Sequence, residues 1–89
     1  MSRARHSPRQ TARRKIAEVD AAMLSAQADI LKAEGQLQEA KGALQQATDE
    51  LDTKRELQKR NPGIVPQRDI EKLEVAAAGR QGSLDAATA

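Results

Sequence analysis

Large aliphatic side chains recur every seven residues along the first two thirds of the chain: Ile16, Met23, Ile30, Leu37, Leu44 and Leu51. A second series, three residues on, reads Val19, Ala26, Ala33, Ala40 and Ala47. Together they form the a and d positions of a heptad seam, which predicts one long helix built to lie along another helix. The seam stops at Asn61-Pro62-Gly63-Ile64-Val65-Pro66, and a second apolar series then runs Ile70, Leu73, Ala77, Leu84 and Ala87, with Arg80 out of pattern. The predicted fold is all-α: an antiparallel two-helix coiled-coil hairpin with a long first helix and a shorter, truncated return helix.

End signals set the boundaries. Ser7 can cap, Pro8 suits the first helical position, where its missing N–H costs nothing, and Gln10 can complete a capping box. Lys54, Arg55, Lys59 and Arg60 crowd the last turns, where the helix dipole favours cations. Asn61 tolerates the left-handed conformation that ends helices, and Pro62 prevents continuation. The expected division is a disordered basic arm over 1–7, a long helix over 8–60, a turn over 61–65 and a return helix over 66–88. Pro66 is expected at its first position, with Asp69 favourable near its start. A helix over 8–60 would be on the order of 80 Å long. Gly35 and Gly42 interrupt it outside the seam, each costing about 1 kcal/mol relative to Ala.

Folded back about the turn, the return helix reaches only from Leu57 to about Leu37. Ile16, Met23 and Ile30 are then left without a partner inside the chain. A seam without a partner implies self-association, or a chain that is part of a longer protein.

Composition narrows the function. The chain has 89 residues, 38% of them hydrophobic and none aromatic. The absence of Phe, Tyr and Trp argues against a compact globular core. Charged residues make up 31%, which together with Ala, Leu, Glu and Lys fits a long helix or coiled coil. Cysteine is absent, which removes disulfides and thiolate metal sites. No apolar run approaches the roughly 18 residues of a membrane span, and none near Met1 resembles a signal sequence. Charge is uneven: residues 1–15 carry Arg3, Arg5, Arg9, Arg13, Arg14 and Lys15 with no acid, whereas the remainder is net negative.

Catalytic chemistry finds no constellation. His6 is the sole histidine, with no companion ligands. Asp49, Glu50 and Asp52 lie among Lys and Arg on a helix and read as a solvated face. Gly79-Arg80-Gln81-Gly82 lacks both the pattern and the preceding strand of a phosphate loop. No enzyme activity and no cofactor are expected. The basic arm suits nucleic acid or anionic lipid by counterion release, a transit-like role, or an ordinary solvated end. Aromatic stacking residues and a recognition module are lacking, which sets nucleic-acid binding last.

The stretch from Leu57 through Asn61-Pro62-Gly63-Ile64-Val65-Pro66-Gln67-Arg68-Asp69-Ile70 to Leu73 resembles the hairpin tip of the HlyD-like membrane fusion proteins, the periplasmic adaptors of bacterial secretion and efflux. Leu37-Gln38-Glu39-Ala40 and Leu44-Gln45-Gln46-Ala47 resemble their ascending helix. Gly79-Arg80-Gln81-Gly82-Ser83-Leu84 resembles their descending one. The resemblance covers about residues 16–88. It implies a location in the periplasm or cell envelope, with an outer-membrane channel of the TolC type at the tip and an inner-membrane transporter at the other end. Such tips often carry Arg, then Leu four residues on, then Ser seven after that. Arg55 fills the first position, whereas Lys59 and Pro66 stand at the other two. The resemblance therefore implies a partner-binding tip made of Arg55, Leu57, Arg60 and Ile64. The family's lipoyl, β-barrel and membrane-proximal parts have no counterpart in this stretch, so a fragment carrying the hairpin is expected. The alternative is a free-standing coiled-coil interaction protein.

Overall fold

The computed structural model describes residues Pro8–Ala89. Helix α1 spans Pro8–Arg60 and helix α2 spans Gln67–Thr88. The two form an all-α hairpin with a long first helix, as the heptad pattern predicts. The expected basic arm, with Arg3, Arg5, His6 and the Ser7 cap, lies outside the described residues.

The chain divides into two units, Met1–Lys32 and Ala33–Ala89. The described part of the first is a stretch of α1 alone. Every residue from Pro8 to Lys32 is exposed, the seam residues Ile16, Val19, Met23 and Ile30 included.

The second unit is the hairpin proper. Its core is small: Leu51, Val65 and Ile70 are buried, at 3–6% exposure, with Leu73 and Ala77 packed against them. The α1 residues that lose solvent are Leu37, Ala40, Leu44, Ala47, Leu51, Lys54 and Gln58 of the seam, with Ala43 and Thr48 beside it. On α2 the residues that do so are Ile70, Leu73, Ala77 and Leu84. Ala87, expected in the return seam, is exposed. The hairpin thus draws on the 3.5-residue repeat, and its packing concentrates at the turn.

The turn departs from expectation in two details. No described residue has a positive φ, so Asn61 does not end α1 in the left-handed region. Instead the Ile64 N–H donates to the Asn61 carbonyl at 3.0 Å, which closes a four-residue turn with Pro62 second. Asn61 Oδ1 accepts from the Gly63 N–H at 3.3 Å. Asparagine first and proline second suit a type I turn, whose central residues both keep negative φ. Pro66 is the cap of α2 and not its first residue. Its backbone is extended, with φ −60° and ψ 144°, and its carbonyl accepts from the Asp69 N–H at 3.0 Å. Proline's fixed φ suits either position, so the sequence alone places the boundary only to within a residue.

Candidate functional site

Two surfaces stand out: the hairpin tip and the open face of α1 before Lys32. At the tip, Gln58 holds the turn together. Its side-chain amide donates to the Val65 carbonyl at 3.2 Å and to Gln67 Oε1 at 3.1 Å. Gln58 occupies an a position, seven residues after Leu51, so the seam ends on a polar residue that straps the two helices at the turn. With the strap in place Val65 is buried and Ile64 is left 60% exposed.

The structure separates the four tip residues that the resemblance singles out. Arg55 lies on the flank facing α2 and pairs with Glu74, Nη2 to Oε1 at 3.7 Å, both side chains about half exposed. That distance is an ion pair in solvent, of small worth to stability. Leu57 and Arg60 are about 120° and 180° around α1 from the buried Leu51, given 100° per residue, so they face away from α2. They line a shallow depression with Asp52, Thr53 and Glu56. Ile64 stands in the turn itself. Leu57, Arg60 and Ile64 therefore point away from α2, while Arg55, itself half exposed, pairs with Glu74 along the flank of the hairpin.

Sequence reasoning missed three features. Gln58 reads as a break in the seam; that it straps the turn depends on where the turn places Val65. Val75, 72% exposed, stands on the outer face of α2 beside Arg68, Glu71 and Lys72. Leu24 and Leu31 are 66% and 68% exposed. They belong to a second series seven residues apart, Ala17, Leu24 and Leu31, alongside Ala21 and Ala28. The spacing is visible in the sequence, but at b positions it falls off the main seam.

The open face carries Ile16, Val19, Met23 and Ile30, each 56–61% exposed. Isolated apolar residues on a surface are ordinary, whereas these four follow one another at a and d positions of the seam. Upstream of it Arg9, Arg13, Arg14 and Lys15 are exposed, and the first turn of α1 has no acid to complement the helix dipole.

Among the described residues no group of His, Cys, Asp or Glu is placed to hold a metal ion. No described helix is long and apolar enough to cross a membrane. Comparison with protein-family models, curated proteins and solved structures finds no match to this chain.

Proposed function

We propose that this protein is a non-enzymatic helical-hairpin interaction module and, more narrowly, the α-hairpin of an HlyD-like periplasmic adaptor. In that role it links an inner-membrane transporter to an outer-membrane channel of the TolC type. The supporting observation is the tip: a turn fixed by Gln58, Asn61 and Val65 that leaves Leu57, Arg60 and Ile64 outward. A tip pre-organised in this way loses little entropy on docking. Arg60 brings charge-assisted hydrogen bonds to carbonyls or carboxylates of a channel, each worth about 1.5–3 kcal/mol. Arg55, half exposed beside Glu74, keeps further N–H donors open to a channel.

A second reading, a free-standing coiled-coil interaction protein, draws its support from the open face of α1, where four seam residues are more than half exposed.

Export separates the two. Residues 37–88 are grafted onto a complete adaptor in place of its own hairpin. Under the first reading the graft exports, and Leu57→Asp, Arg60→Ala and Ile64→Asp each reduce export while helicity holds. A well-folded graft that exports nothing, or variants that all export like the parent graft, would leave the second reading.

A further inference from the structure

The open face of α1 has a pattern that selects its partner. We propose that a second copy of the chain covers it, antiparallel, with Ile16, Val19 and Met23 of one copy packed against Ala33, Ile30 and Ala26 of the other. The inference rests on the reading of this face as an interaction surface, and it names the occupant.

Three observations carry it. The first is exposure: Ile16, Val19, Met23 and Ile30 are each more than half exposed, and α2 shields the seam only from Leu37 onward. The uncovered stretch is a run of heptad positions without interruption by a charge. Its unmet need is therefore a helix of matching repeat, which a second copy supplies.

The second is size. In the antiparallel register each a residue faces a d residue of the other copy. Ile16 then meets Ala33 and Met23 meets Ala26, large against small, and only Val19 meets Ile30. Four of the six layers thus pair a large side chain with an alanine, and no layer holds two alanines. Parallel and in register, Ile16 and Met23 would face themselves, as would Ala26 and Ala33. Ala26 and Ala33 would then form thin layers among full ones, leaving gaps at each alanine pair.

The third is charge at the positions flanking the seam, which sets orientation in paired helices. Antiparallel, Arg13 of each copy lies beside Glu34 of the other, giving two attractive pairs by symmetry. Asp20 falls beside Gln27, and Asp29 beside Ala22, with no like-charged pair. Parallel, Lys15 falls beside Asp20 and Asp29 beside Glu34, each twice by symmetry, so two attractive pairs are offset by two repulsive ones. The basic turns at the start of α1, unfavourable for the helix alone, gain an acidic neighbour at Glu34 in the antiparallel arrangement. Leu24 and Leu31, on a different strip of the helix, stay outside this contact.

The test uses the 89-residue chain. Sedimentation velocity from micromolar to millimolar concentration is expected to show a monomer–dimer equilibrium. Arg13→Glu and Glu34→Arg each place two like-charged pairs across the contact and weaken the dimer about tenfold. The double variant Arg13→Glu/Glu34→Arg restores the parent affinity, which a general loss of helicity would not do. Orientation is read by equilibrating Met23→Cys chains with Ala26→Cys chains in a thiol–disulfide buffer. The mixed disulfide is expected to dominate. A monomer at all concentrations, a dimer indifferent to the charge reversals, or a dominant disulfide between two Met23→Cys chains would each overturn the proposal. None of these outcomes touches the export assay, so failure here leaves the tip's proposed role standing, and the face would then belong to a helix of another protein.

Discussion

The Gln58 side-chain amide reaches across the turn to the Val65 carbonyl, 3.2 Å away, and also to the Gln67 side chain. One polar residue at the last seam position thus ties the end of α1 to the start of α2. A carbonyl in this part-buried place would otherwise lack a donor from the protein's side chains, and an unmet acceptor costs more than a met one contributes. Gln58→Ala is expected to destabilise the hairpin by about 1 kcal/mol, read as a lower urea midpoint by circular dichroism. Gln58→Glu keeps the size but removes the donor and sets a carboxylate against a carbonyl, so it should cost at least as much. If both variants melt with the parent, the strap does not hold the turn.

Burial in the hairpin is concentrated in Leu51, Val65 and Ile70. Truncating one of three buried side chains removes a large share of the whole core. Ile70→Ala is expected to cost about 2–5 kcal/mol, enough to lose the hairpin's cooperative transition in so small a structure. Val75→Ala removes a larger-than-Ala side chain from the same helix, but from its outer face at 72% exposure. It should shift stability by less than about 0.5 kcal/mol. Equal losses at the two positions would mean that α2 packs on a different face.

The periodic part of the fold was legible because burial along a helix pair repeats in sequence: Leu44, Leu51, Ile70 and Ala77 all lose solvent where the heptads put them. Asn61-Pro62 located the turn because proline's missing N–H and fixed φ act on the backbone whatever surrounds it. Its internal geometry was less accessible. Asn61 has two ways to end a helix, through its left-handed backbone or its side chain, and it takes the second, bonding the Gly63 N–H. How the four tip residues divide around α1 was not legible. Arg55 and Leu57 are two residues apart and so lie on different sides of α1, and only the position of Glu74 reveals which one the hairpin engages.

The glycines within the helices offer a test of backbone cost without packing. A Cβ built at Gly42 or Gly79 meets nothing within 4 Å, and neither residue has a positive φ. Alanine therefore fits without strain and reduces the entropy lost on folding. Gly42→Ala and Gly79→Ala should each stabilise the hairpin by about 1 kcal/mol, additive in the double variant if the sites act independently. A destabilising result at either site would point to a helix from a partner passing close to the backbone there.

The two ends of α1 should differ in how they hold their hydrogen bonds. Between Leu44 and Leu51 the helix is supported by α2, whereas from Ile16 to Ile30 every residue is exposed. A helix without tertiary packing is marginal in water, since nucleation is costly and each added residue contributes little. Amide exchange over 16–30 should therefore be fast in dilute solution, while amides over 44–51 and 70–77 are protected by the hairpin's own stability. As concentration rises, protection over 16–30 should increase and total helicity with it if, as proposed, a second chain covers the seam and stabilises the helix by mass action. Amides of the hairpin should change little over the same range. Met23→Asp places a charge in the centre of the seam, and should abolish the concentration dependence while leaving protection at 44–51 intact. Strong protection over 16–30 that is independent of concentration would show that this segment is stable by itself, and the exposed row would then have no role in ordering the helix.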